Sequence, residues 1–277
     1  MDLAEIQKRI DAVTWYHEFD FGNGLKARSN TSDVEGHRAI WAGIRAGLDR
    51  IDFTGKSVLD IGCWDGYWSF YAEKRGAAEV LATDDISQNW ASGQGLPLAR
   101  ELLNSSIAIN QNLSVYDVAS LGRKFDIILC LGVYYHLIDP FYAFSQLRHC
   151  CHDGTLLLLE GDATLGIRPD NYYFDFGNRA PSAFVPTPAG LQQMLEAAYF
   201  SVESQEWILA PRPPSFRYRL EVLSQAMRDL EALAPKPPRK TGRLMTACRP
   251  FAGPSKLHHY KPPFGLHRYD PRFARQP

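Results

Sequence analysis

The sequence predicts an α/β fold: a doubly wound, mainly parallel sheet of seven strands with a helical cap before it and a basic tail after it. Three observations predict this. Short apolar runs alternate with segments of helical period. The run Ser57-Val58-Leu59-Asp60-Ile61 leads into Gly62-Cys63-Trp64-Asp65-Gly66, a strand followed by a tight turn and an amphipathic segment from Tyr67 to Arg75. After Pro250 the composition shifts to Pro, Arg, His and aromatics without a period.

Taken in order, Leu3, Ile6, Ile10 and Val13 form one stripe of a first helix. The aromatic run Trp15 to Phe21 follows, closed by the turn signal Gly22-Asn23-Gly24. It reads either as a plug at a sheet edge or as a cover over a pocket; in the second case His17, Asp20, Lys26 and Arg28 are the polar groups that face the ligand. Ser32-Asp33-Val34-Glu35 caps a helix through Ile51. Strands are predicted at 57–62, 79–83, near 107–115, at 125–131 and at 154–160. Helices are predicted at 67–75, about 96–104 and 140–150. Parallel strands buried on both faces explain why the apolar runs are continuous.

Residues 161–186 have no steady period and carry Tyr172, Tyr173, Asp175 and Arg179 among other polar groups. Placed after a strand end, the segment is expected to form a substrate-facing wall. Thr187-Pro188 starts a helix to Ala198. Strands at 201–209 and 243–249 flank a helix carrying Leu220, Leu223, Met227 and Leu230. The expected organisation is a cap over 1–53, a main domain over 54–250 and a tail over 251–277.

With 45% hydrophobic and 22% charged residues, the 277-residue chain has an ordinary globular composition. No apolar run reaches the roughly 18 residues of a membrane span, and the first residues are acidic, so a cytoplasmic location without membrane contact is expected. The five cysteines form no C-x-x-C pair and read as reduced, mostly buried thiols. Charge is uneven: from residue 235 onward ten Lys/Arg face one Asp, leaving net −10 on the first 234 residues. Such a core repels a nucleic-acid backbone unless the tail provides the contact.

Gly62 allows a sharp turn and close approach of a ligand to the backbone. The dinucleotide fingerprint is not met, because Trp64 and Asp65 occupy the loop. Instead, Asp60 and Asp84 close successive strands at their carboxyl ends, where open α/β sheets bind ligands and an acid suits ribose hydroxyls. Asp85 is the rival to Asp84, or else a cap for the next segment.

The pattern Asp60-x-Gly62-x-x-x-Gly66 with Asp84 resembles the S-adenosylmethionine site of class I methyltransferases. Leu131-Gly132-Val133-Tyr134-Tyr135-His136-Leu137-Ile138-Asp139-Pro140 and Trp15-Tyr16-His17-Glu18-Phe19-Asp20-Phe21-Gly22 resemble the family around the tRNA wobble-uridine carboxymethyltransferase. The resemblance runs from about Trp15 to Arg249. It implies a Rossmann-like methyltransferase fold with an antiparallel hairpin of the last two strands at one edge. It also implies Asp60, Gly62 and Gly66 at the methionine end of the cofactor, Asp84 on the ribose, Asp117 and Val118 at the adenine, and Leu131 among the cofactor-binding residues.

His136 is the expected general base, since imidazole titrates near neutrality; its alternative is a helix cap. Tyr134, two residues earlier, alternates with it onto the same side. Glu160 closes the fifth strand facing a substrate hydroxyl. Asp139 and Asp162 leave a divalent metal open, although no tight cluster marks one. The relative's carboxylated donor is held by a lysine ahead of the first helix and a tryptophan and a lysine along it. Here Gly36 stands at the tryptophan position and no lysine lies between Ala27 and Arg50, although Lys26 mimics the first lysine.

The expected function is therefore O-methylation of a small polar metabolite. A tRNA wobble-uridine modification is the alternative, and a cofactor-binding module without turnover the third reading. The tail, with Tyr260, Lys261, Phe264, Arg268 and Tyr269, is read as a packed arm or homo-oligomer contact, a disordered end, or a nucleic-acid contact.

Overall fold

The computed structural model describes residues 2–88, 91–166, 171–174, 183–211 and 241–274. The cap opens with α1 (Leu3–Asp11), whose N-terminal amide on Ala4 is capped by Asp2. The aromatic run then forms a small antiparallel hairpin, β1 (Phe19–Gly22) and β2 (Leu25–Ala27), turning through Asn23 and Gly24 at positive φ. Asn-Gly is the pair such a turn favours. Next, α2 (Val34–Leu48) is capped by Asp33, whose carboxylate accepts from Gly36 N at 3.0 Å.

The main sheet has β3 (Ser57–Ile61), β4 (Glu79–Thr83), β5 (Ala108–Asn110), β6 (Phe125–Leu131), β7 (Cys151–Ala163), β10 (Phe200–Leu209) and β11 (Gly242–Pro250), in the order β10-β11-β7-β6-β3-β4-β5. Pairs from β5 across to β7 are parallel, and β11 and β10 add antiparallel to β7. A further short hairpin joins β8 (Tyr172–Phe174) and β9 (Phe184–Pro186). The chain reverses its direction of growth between β3 and β6, the switch point at which such sheets hold ligands.

Side chains alternate across this sheet into two cores. Leu59, Ile61, Ile128, Cys130, Leu157 and Leu159 face α5 (Pro140–His149) and α6 (Pro188–Ala197). Val58, Val80, Ile127, Leu129 and Leu158 face α2, α3 (Tyr67–Lys74) and α4 (Gly95–Leu102). Each fully buried aliphatic side chain contributes about 1.5–3 kcal/mol, so both faces have to be covered. Thr187 and Asp139 cap α6 and α5 by accepting from Gly190 N and Tyr142 N.

Three expectations need correction. The strand near 107–115 is only Ala108–Asn110; Val115–Leu121 is a 3-10 helix, because the Ser114 hydroxyl accepts from Tyr116 N and draws the backbone into a turn. The fifth strand is longer than expected, Cys151–Ala163. The wall at 161–186 contains the β8–β9 hairpin in its described part. The helix expected at Leu220–Leu230 lies outside the described residues, as does Arg179.

The tail packs on the domain. The Arg148 guanidinium lies 3.6 Å from the Tyr269 ring centroid and donates to Phe251 O, while His149 bonds Tyr269 Oη and Phe264 O. Asp270 is fully buried; Arg272 holds its carboxyl well below the usual range, and Tyr199 Oη and Ser255 N also donate to it.

Gly66 starts α3 at φ +81°, and a Cβ there would lie 2.3 Å from Leu96 Cδ1 and 2.9 Å from Phe70 Cε2. Gly66→Ala is expected to lower the unfolding free energy by about 1–3 kcal/mol, from the left-handed backbone and the repacking together; urea denaturation checks this.

Candidate active site

At the switch point the carboxyl ends of β3, β4, β6 and β7 border a cavity of about 1110 Å³, closed from above by the cap. The loop after β3 builds its floor. Gly62 at φ +63°, Trp64 at +56° and Gly66 at +81° put three left-handed residues within five positions. For Trp64 this conformation carries a steric cost of roughly 1–2 kcal/mol. Cys63 N donates to Thr83 O and Gly66 N to Cys63 O, fixing the loop to β4 and to itself. A Cβ on Gly62 would meet Val133 Cγ2 at 2.6 Å, so this position stays bare.

Asp60, Gly62, Asp84 and Leu131 line the cavity as the sequence suggested. Asp60 is buried and accepts from Ser69 Oγ at 2.6 Å. Burial, reinforced by the Asp84 and Asp65 carboxylates, pushes its carboxyl up to about 7 against the opposing Ser69 bond. Asp85 also lines the cavity, while its carboxylate accepts from Ser87 N and Ser87 Oγ, the capping role considered for it.

Other expectations change. Gly66 does not border the cavity; it shapes the start of α3. Asp117 sits exposed on the 3-10 helix and Val118 is buried in the core, its carbonyl accepting from Cys150 Sγ. Leu113, Ser114, Val115 and Tyr116 line the wall that those two were expected to form. The displacement follows from the helical turn replacing the strand.

Tyr134 is fully buried and donates through its hydroxyl to Asp162 O at 3.0 Å, and burial raises the phenol. Residues 134–136 form a 3-10 turn of three residues per turn, so neighbours diverge by about 120° and Tyr135 lines the cavity instead. His136 is exposed at the mouth, its ring centroid 4.1 Å from that of Tyr135. The cap of α5 is Asp139 rather than His136.

Asp20 points away from the cavity: strand alternation buries Phe19 and exposes Asp20, which pairs with Lys26 and accepts from Gly22 N. Tyr172 is exposed against Phe184 and Tyr173 is buried, and neither lines the cavity. Their hairpin braces the site from behind, with Ala183 N donating to Tyr135 O at 2.7 Å.

Glu160 borders the cavity, but both its oxygens accept from Arg243 at 2.7 Å, and Arg243 also bonds Asp162 at 3.1 Å. The guanidinium lies 4.7 Å from the Tyr135 ring centroid. Although burial opposes its charge, the Glu160 carboxylate raises Arg243 above its ordinary value. Among the described residues Arg243 is the only Lys or Arg lining the cavity. Its signal in the sequence was a basic residue directly before the apolar pair Leu244-Met245 of a strand.

His17 was expected at the cavity and is there, 4% exposed. Its partner was missed. Asp65 Oδ2 accepts from Tyr16 N at 2.9 Å and His17 N at 2.7 Å, while Oδ1 bonds His17 Nδ1 at 2.6 Å. The sequence showed Asp65 only as a departure from a nucleotide fingerprint. Tyr16, His37 and Trp41 complete the aromatic wall. No group of three or more metal-ligating side chains, and no helix long and apolar enough to cross a membrane, occurs among the described residues.

Two outcomes follow from these buried charges. Removing Arg243 leaves Glu160 buried and unpaired, so Arg243→Ala is expected to cost about 3–5 kcal/mol in urea unfolding. Folded Asp60 keeps a proton that the unfolded chain releases near pH 4, so its contribution to stability falls as pH rises from about 4 to about 7 and is level above. The urea midpoint of Asp60→Asn is expected to fall less than that of the wild type across that window.

A family model described as a methyltransferase domain matches residues 36–205. Among curated proteins, the tRNA U34 carboxymethyltransferase of Campylobacter hominis is 32% identical over 155 residues, 54% of this chain and 52% of that protein. The enzyme of that name from Pseudomonas paraeruginosa is 29% identical over 185 residues, 60% of this chain and 56% of its own length. The chain thus spans about half the length of these curated relatives. Among solved structures, the N-terminal domain of EvdMO1 with S-adenosylhomocysteine bound has a TM-score of 0.58 at 16% identity, covering 90% of this chain and 98% of that one. The Burkholderia thailandensis 1,6-didemethyltoxoflavin-N1-methyltransferase, with 1,6-didemethyltoxoflavin and S-adenosylhomocysteine bound, has a TM-score of 0.51 at 15% identity, covering 79% of this chain and 84% of that one. With the family model spanning 36–205 on a seven-stranded sheet of this order, the chain belongs to the methyltransferase domain family and is an S-adenosylmethionine-dependent methyltransferase.

Proposed function

We propose that this enzyme methylates an oxygen on a planar, base-like acceptor, with the wobble uridine of tRNA as the leading candidate. The observation that carries the reading is the cavity's lining by the aromatic residues Tyr16, His37, Trp41, Trp64 and Tyr135, whose side chains carry flat ring faces. Such faces stack a flipped-out base or a free heteroaromatic ring. The tRNA U34 carboxymethyltransferases that match this chain over about half their length support the nucleic-acid version.

The residues present fit the cofactor. Bare Gly62 admits a ligand against the backbone, and the Asp60 carboxyl, raised to about 7 by burial, attracts an ammonium group once it ionises. Asp84 takes the ribose hydroxyls, while Leu113, Ser114, Val115 and Leu131 enclose the adenine. S-adenosylmethionine supplies a methyl group already activated on a sulfonium. The protein's task is alignment and removal of one acceptor proton. The imidazoles on hand are His136 at the mouth, His37 and His17.

A plain methyl donor suits the site better than a carboxylated one. The guanidinium lining the cavity is committed to Glu160 and Asp162, and Gly36 replaces the tryptophan expected along α2. A second reading, a small polar metabolite as acceptor, is favoured by the net −10 of the first 234 residues, which opposes polyphosphate docking.

The test is calorimetric titration with S-adenosylmethionine, S-adenosylhomocysteine and the carboxylated donor, followed by labelling of bulk tRNA with methyl-labelled S-adenosylmethionine and nucleoside analysis. Label in a uridine, with the plain donor bound more tightly, supports the proposal. Label appearing only in small hydroxyl compounds moves the assignment to the second reading, and failure to bind the plain cofactor defeats both. S-adenosylhomocysteine affinity is also expected to rise between pH 6 and 8 as Asp60 ionises, a trend that Asp60→Asn abolishes.

A further inference from the structure

We infer that Asp65 is a positioning residue for the cofactor: its side chain clamps the turn after β3 to the cap and holds that turn in the shape that receives S-adenosylmethionine. The inference rests on the cofactor placement proposed above.

The turn is strained at one residue. Gly66 N donates to Cys63 O at 2.8 Å, which makes 63–66 a four-residue turn with Trp64 and Asp65 at its centre. Trp64 occupies the first central position at φ +56°. Turns with positive φ there are dominated by Gly, Asn and Asp, because a larger side chain crowds the backbone. A bulky residue stays in that region only where its surroundings over-determine it. Cys63 N, donating to Thr83 O at 3.0 Å, fixes the start of the turn to β4.

The centre of the turn is fixed from the cap. Asp65 is 2% exposed; its Oδ2 accepts from Tyr16 N at 2.9 Å and His17 N at 2.7 Å, and its Oδ1 bonds His17 Nδ1 at 2.6 Å. The cap end of this clamp is itself anchored. Trp15 N donates to Asn30 Oδ1 at 2.7 Å and Asn30 N to Trp15 O at 2.8 Å, closing the base of the hairpin, while Trp15 Nε1 donates to Ile10 O at 2.9 Å. The start of α4 packs on both partners: a Cβ on Gly95 would stand 3.2 Å from Asp65 Cβ and from Trp15 Cζ3. The Trp64 and Tyr16 rings, 5.8 Å apart, meet beside the clamp.

This arrangement bears on binding as well as on folding. Gly62 and Trp64 line the cavity, so a turn that relaxes at Trp64 alters the floor that the cofactor meets. Only molecules with the turn formed bind, and apparent affinity falls with their fraction. Once the clamp is gone, the left-handed cost at Trp64 sets that fraction at about one in 5 to one in 30.

Calorimetric titration with S-adenosylhomocysteine is the first test. Asp65→Ala is expected to weaken binding by about 5- to 30-fold. Asp65→Asn keeps a carbonyl oxygen for the two cap amides and is expected to recover most of that loss. A purely structural role lowers the urea midpoint and leaves affinity alone, so Asp65→Ala binding within about twofold of the wild type overturns the inference. Gly62→Ala separates it from the placement on which it rests, since the added Cβ meets Val133 Cγ2 at 2.6 Å on the cavity floor. Affinity lost in Gly62→Ala but kept in Asp65→Ala defeats the inference and leaves the placement standing; affinity kept in both defeats the placement too.

Residue-resolved amide exchange is the second test. In Asp65→Ala the Cys63 and Gly66 amides are expected to exchange faster than in the wild type, with Leu59 and Ile61 unchanged, and saturating S-adenosylhomocysteine is expected to restore their protection. Equal exchange at Cys63 and Gly66 in the two proteins overturns the inference. If Asp65→Ala does not fold, the wild type decides: coupling is reciprocal, so the ligand is expected to slow exchange at the Tyr16 and His17 amides, and no change there overturns it. A wild type that does not bind S-adenosylhomocysteine defeats the placement, and exchange at Cys63 and Gly66 still decides whether Asp65 holds the turn.

Discussion

The carboxylate of Asp65 joins the two parts of this molecule that make a site. It stands in the left-handed turn between β3 and α3, and it accepts from Tyr16 N, His17 N and His17 Nδ1. One buried side chain thereby ties the aromatic cap to the loop that floors the cavity. A carboxylate in such a position is stable only when its oxygens are satisfied, and the cap supplies the donors. The cap is part of the active site's construction for this reason, and Trp15, Phe19 and Phe21 pack around that junction.

Charge inside the cavity is arranged around the ends of the strands. Asp60 and Asp84 close β3 and β4, and Glu160 ends the apolar stretch of β7 beside Arg243 from the antiparallel strand next to it. The Glu160–Arg243 pair is nearly closed to solvent and bidentate, geometry in which attraction offsets desolvation. No such cation stands among the influences on Asp60 within the described residues; burial raises it, and Ser69 opposes that by donating to it. The same edge therefore combines one neutralised acid and one that titrates in the physiological range.

The basic tail uses part of its charge locally: Arg272 pairs with Asp270 and Arg268 donates to Gly265 O in its own turn. Tyr269 and His149 seat the arm on α5. No described tail residue lines the cavity. Lys256 and Lys261 remain exposed on the arm.

Local signals in the sequence determined the elements and the strand ends that border the cavity. Alternating apolar runs gave the parallel strands, Asp33, Thr187 and Asp139 gave helix starts, and an acid with a bare glycine at a strand end gave Asp60, Gly62 and Asp84. These depend on neighbours within a few residues, so they are legible in one chain. Tertiary structure decided the rest. It brought Asp65 to His17 across 48 positions and Arg243 to Glu160 across 83. It also turned Tyr135 rather than Tyr134 into the cavity and replaced Asp117 and Val118 by Leu113, Ser114 and Val115. Spacing cannot report a contact between distant segments, nor which face a short 3-10 turn presents, because both depend on how the sheet packs its two layers.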